Sequence, residues 1–91
     1  MGMYKVNCNL ASHVQDGDTT GDYRFICHKG ETSAYSESPG MTSTERDSVV
    51  SAAQTSQGAM ETALPTAVET WYSNRATDGI RLALYYAAKQ Y

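Results

Sequence analysis

Two stretches of alternating polarity, each carrying one cysteine, constrain this chain more than any other feature. From Tyr4 to Val14 the side chains Tyr4, Val6, Cys8, Leu10 and Val14 fall on one side, against Lys5, Asn7, Asn9 and His13 on the other. Tyr23, Phe25 and Cys27 alternate in the same way against Arg24 and His28. A period of two is the pattern of a strand that buries one face. The residues between them, Gln-Asp-Gly-Asp-Thr-Thr-Gly-Asp from 15 to 22, are rich in turn formers, so the two strands read as a long-looped hairpin. Any register that sets even positions of the first strand opposite odd positions of the second gathers both apolar sets, and both cysteines, on one face.

After the hairpin, Lys29-Gly30 offers a tight turn into a third, more polar strand over Glu31 to Ser36, in the manner of an edge strand. Ser38-Pro39-Gly40 breaks the sheet. Thr42-Ser43-Thr44-Glu45 then forms a capping box and starts a helix. Beyond it Val49, Ala53, Met60, Leu64, Ala67 or Val68, and Trp71 recur at helical spacing as one amphipathic stripe. Gly58 weakens that stripe, and Pro65 implies either a kink near Met60 to Pro65 or a second helix with Pro65 in its first turn. The tail from Ile80 to Tyr91 fits two templates. Ile80, Leu82, Leu84 and Tyr86 alternate as in a strand, whereas Ile80, Leu84, Ala87, Ala88 and Tyr91 suit a helix, and the strand is the preferred reading. The expected fold class is therefore α+β: a small antiparallel sheet in β-β-β-α-β order, with one long or Pro-kinked helix packed on one face.

A chain of 91 residues, 41% apolar, has room for one core, and residues 1–91 are read as a single domain. No apolar run approaches the roughly 18 residues that span a bilayer, and the first residues lack the apolar core of a signal peptide, so the expected location is cytoplasmic. The formal charge is −3 and the seven basic residues (Lys5, Arg24, Lys29, Arg46, Arg75, Arg81, Lys89) are scattered, which disfavours a nucleic-acid partner. A protein partner with a basic surface remains compatible with an acidic chain.

Cys8, His13, Cys27 and His28 have the atoms of a zinc site, but alternation sends the thiols and the imidazoles to opposite faces, away from a tetrahedral centre. The cysteines read instead as two buried thiols acting as small hydrophobes; a bridge across the hairpin is the reading that applies in an oxidising compartment. Residues 16 to 22 imitate the start of a calcium loop, yet the twelfth position is Cys27, which cannot supply the bidentate carboxylate. No nucleophile–base pair, carboxylate pair or phosphate cradle is visible, so no enzyme, cofactor or metal is expected.

Seven tyrosines and one tryptophan point toward recognition, because aromatic side chains are enriched where protein surfaces meet. The leading expectation is a non-catalytic protein-binding module, of the kind of small acidic accessory or inhibitor protein that phages and mobile elements direct at host complexes. Its expected contact surface is Asp16, Asp18 and Asp22 of the hairpin loop with Tyr35, Tyr72 and Tyr85, or else an open sheet edge. The alternative is a structural protein that pairs with its own copy, as a homodimer or larger assembly, through the helix stripe or an edge strand. A small enzyme or ligand binder is the third reading.

Overall fold

The structure is a computed structural model that describes residues 6–12, 22–29, 35–75 and 79–91. Three strands, β1 (Val6–Ser12), β2 (Tyr23–Lys29) and β3 (Tyr35–Glu37), form one antiparallel sheet in the order β1-β2-β3. Even residues of β1 stand opposite odd residues of β2: Leu10 faces Phe25, Ser12 faces Tyr23, and Cys8 faces Cys27. The parity inferred from the alternation is the one observed. Leu10, Phe25 and Cys27 are buried, while Asn7, Asn9 and His28 are exposed. The expected start of the third strand and the Gly30 turn lie outside the described residues.

The two cysteines are bridged, with Cα atoms 4.0 Å apart. This corrects the reading of two free buried thiols, and the reason is the register itself: directly opposed residues of a close pair bring the sulfurs within bonding reach. Closing a loop across a sequence separation of 19 removes unfolded-state freedom worth about 3 kcal/mol in the chain-entropy account.

Which backbone groups point where follows from β2. The Phe25 carbonyl accepts from Ser38 N at 2.9 Å, and Phe25 N donates to Ser38 Oγ at 3.0 Å. Odd residues of β2 thus direct their backbone groups toward β3, and Arg24, Ile26 and His28 direct theirs toward β1. Tyr23 and Met41 continue the ladder with reciprocal bonds of 2.9 and 2.8 Å, one residue out of step, which absorbs Pro39 and Gly40 as a bulge.

The helical region is three helices, not one long or kinked one. The capping box is present: Thr42 Oγ1 accepts from Glu45 N at 3.1 Å, and Glu45 Oε1 accepts from Thr42 N at 2.9 Å, opening α1 (Ser43–Ala53). Ser56 provides a second cap, its Oγ accepting from Ala59 N, and this separates α2 (Gln57–Ala63) from α1. Pro65 holds Leu64 extended (ψ 134°) and precedes α3 (Thr66–Ser73), sitting at its N-cap and not within its first turn. The apolar stripe survives these breaks, since Val49, Ala53, Met60, Leu64, Val68 and Trp71 are all buried.

The tail is a helix, α4 (Ile80–Lys89), and the preferred strand reading is corrected. Ile80, Leu84 and Ala88 are buried at steps of four, whereas Leu82 (50% exposed) and Tyr86 (48% exposed) point outward, a partition that period two does not allow. Gly79, in the left-handed region at φ 72°, makes the turn into it. α4 lies against β1 and β2 and also meets α1, so the sheet is covered by helices, and among the described residues no fourth strand extends it. Leu84→Ala is expected to cost about 2–5 kcal/mol in chemical denaturation and Leu82→Ala less than about 0.5. Equal losses at the two positions would contradict the helical tail.

Candidate functional site

Of the six contact residues expected from the sequence, Asp16 and Asp18 lie outside the described residues. Asp22 is held by Arg24, whose Nε donates to Asp22 Oδ1 at 2.9 Å while a second guanidinium nitrogen reaches Glu37 at 3.1 Å. Arg24 thereby turns the Asp22 carboxylate toward its own sheet, and Gly40 packs against that carboxylate so closely that a Cβ there would collide with Oδ1. Tyr35 opens β3 opposite His28, and its side chain is outside the described structure. Tyr85 is half-buried, with Lys89 Nζ 5.5 Å from its ring centre and the Tyr86 ring 5.6 Å away.

Tyr72 is buried, contrary to the expectation of an exposed contact, because the helix breaks rotate α3 so that Trp71 and Tyr72 both face inward. Its hydroxyl donates to Glu61 and accepts from Gln57 Nε2, and Arg81 stands 5.0 Å from the ring centre. The group therefore anchors α2 to α3. Burial, with the hydrogen bond to Glu61 second, pushes the phenol up to about 12.

The structure assembles a different surface, one that runs along the outer edge of β1. Odd residues of β1 bond to β2, so the backbone N–H and C=O groups of Val6, Cys8 and Leu10 point outward, away from the sheet. Among the described residues those outward groups have no strand partner. Beside them two adjoining hollows of about 320 and 220 Å³ separate β1 from α4. Val6, Asn7, Cys8, Ala83 and Tyr86 line the first; Asn9, Leu10 and Tyr91 extend the second; Cys8, Ala87 and Gln90 are common to both.

Consecutive β1 residues line these hollows although their side chains alternate between faces, which places the groove at the strand's edge. Tyr86 and Tyr91 (56% exposed) stand at its rim and Leu82 continues the exposed face of α4. Among the described residues no lining side chain is charged. Such a groove offers backbone donors and acceptors, the Asn7, Asn9 and Gln90 amides, and aromatic faces. These are the groups with which an extended polypeptide backbone pairs.

With both sulfurs bridged, two of the four candidate zinc ligands carry no thiolate, and His13 lies outside the described residues. An open sheet edge is among the surfaces the sequence suggests, but alternation does not say which strand carries it. The strand reading of the tail sets Tyr86 on one face with Ile80 and Leu84, and the helical spacing of Ile80, Leu84 and Ala88 is the signal that exposes it. In comparison with known proteins, no family model, curated protein or solved structure matches the chain.

The Tyr72 shift fixes the sign of one pH dependence. A phenol whose value is raised in the fold, against 10 in the unfolded chain, contributes stability that is complete below pH 10 and disappears as pH rises toward 12. Unfolding measured across that window should show about 2 to 3 kcal/mol less stability lost in Tyr72→Phe than in the parent chain. Parallel pH profiles for the two would contradict the burial of this hydroxyl.

Proposed function

We propose that this chain is a non-catalytic protein-binding module that takes an extended polypeptide segment as an added strand on the outer edge of β1. The observation that carries the reading is the row of outward backbone groups at Val6, Cys8 and Leu10 beside a neutral groove rimmed by Tyr86 and Tyr91. Main-chain bonds to such a row supply affinity, and the groove against α4 supplies room for alternate side chains of the incoming segment. The uncharged described lining favours a segment that is itself neutral, and it supplies neither a carboxylate for a basic partner nor a cation for a phosphate backbone. An accessory or inhibitory role follows naturally, since a module that supplies a strand edge can occupy the segment another protein needs.

The disulfide shifts the proposed place of action from the cytoplasm to an oxidising compartment, where paired thiols persist. It also stiffens the edge before binding. A pre-ordered strand loses less conformational freedom on docking than one that must first settle onto the sheet.

A photoreactive benzoylphenylalanine at position 86, compared with one at exposed Ala67 on α3, tests the reading in cells that make the protein. The expected result is a discrete protein adduct from position 86, none from 67, and loss of the adduct when exposed Asn7 and Asn9 are both changed to Lys. An adduct from 67 alone, or one from 86 that survives the lysines, would contradict it.

A further inference from the structure

We infer that the segment received by the β1 edge is β1 of a second copy, paired antiparallel about a two-fold axis. The inference rests on the reading of this edge as the docking surface and names its occupant. Three observations on β1 and α4 lead to it.

The first is the composition of the edge. Val6–Ser12 reads Val-Asn-Cys-Asn-Leu-Ala-Ser, seven residues with neither a charge nor a proline. Proteins that remain monomeric blunt a long edge with lysine, proline, a bulge or a cover; Val6–Ser12 holds no lysine, proline or bulge, and among the described residues no strand covers it. The opposite edge of the sheet differs: β3 is three residues long and runs into Pro39.

The second is self-complementarity. A two-fold axis perpendicular to the sheet keeps each residue on its own face, so Val6, Cys8 and Leu10 of both copies stay on the helix side and Asn7 and Asn9 on the other. The register that engages all seven residues centres on Asn9. It sets Asn9 against its own counterpart at a close, non-hydrogen-bonded position, where two amides can donate to and accept from each other. Cys8 and Leu10 then exchange backbone bonds through the groups that are directed outward in one copy.

The third is the surface next to the edge. Tyr86 borders the groove and Leu82 lies one turn away, both about half exposed. The same two-fold axis brings the α4 helices together on one side of the joined sheet and buries these side chains. Although the chain carries a net charge of −3, the described groove lining is neutral, so these lining residues set no like charges against each other on self-pairing.

Sedimentation equilibrium up to about 1 mM chain, with circular dichroism to confirm the fold, tests this through charge substitution at the axis. The parent chain should show a two-chain mass. Asn9→Lys and Asn9→Asp should each weaken association about tenfold through like charges set against each other, and an equimolar mixture of the two should restore it. A one-chain mass for the parent at every concentration would overturn the inference, as would a dimer indifferent to both substitutions. If the parent is monomeric yet position 86 still yields an adduct with a different protein, the second-copy inference fails while the docking edge stands. Absence of any adduct at position 86 in a monomeric chain removes both.

Discussion

Cys8 stands directly opposite Cys27, and most of the structure can be traced from that one pairing. It holds β1 to β2 in a register in which Val6, Cys8, Leu10, Phe25 and Cys27 fall on the helix side, with Ala11 and Ile26 on the other face. It makes Cys8–Cys27 a close, non-hydrogen-bonded pair, so the next residues, Asn7 with His28 and Asn9 with Ile26, carry the ladder. The outward direction of the Val6, Cys8 and Leu10 backbone groups is the complement of that pattern. A slip by one residue would reverse both the buried face and the exposed edge together.

The helices complete what the sheet leaves open. Small alanine side chains let them approach closely: Ala53 and Ala88 are fully buried among Phe25, Met41, Val49, Met60 and Leu84. Because α4 packs beneath β1 without covering its outer edge, the same helix that closes the core also makes one wall of the groove. Core and candidate site therefore share Cys8 and Leu10, and an alteration of the hairpin register would be felt in both.

Much of this was legible from residue order. Alternation placed Leu10, Phe25 and Cys27 inside and Asn7, Asn9 and His28 outside, the capping box marked the start of α1, and Pro65 marked a break. The bridge is not legible from alternation, which fixes faces but not which residues stand opposite. The tail is ambiguous in sequence because Ile80 and Leu84 satisfy period two and period 3.6 alike; only packing against β1 decides that Leu82 and Tyr86 face outward. Ser56 does not stand out as a cap in a run already rich in serine and threonine. The site was the least legible part, since a free edge depends on strand order and on which groups point outward, and both are tertiary facts.

The most direct measurement of the central claim is the set of cross-strand Hα–Hα contacts between β1 and β2 in a nuclear Overhauser spectrum of the oxidised chain. Close, non-hydrogen-bonded pairs bring these protons nearest. Strong contacts are predicted for Cys8 with Cys27, Leu10 with Phe25 and Ser12 with Tyr23, and weak ones for Asn7 with His28 and Asn9 with Ile26. The inverse pattern would contradict the register, and with it the outward edge on which the functional reading stands.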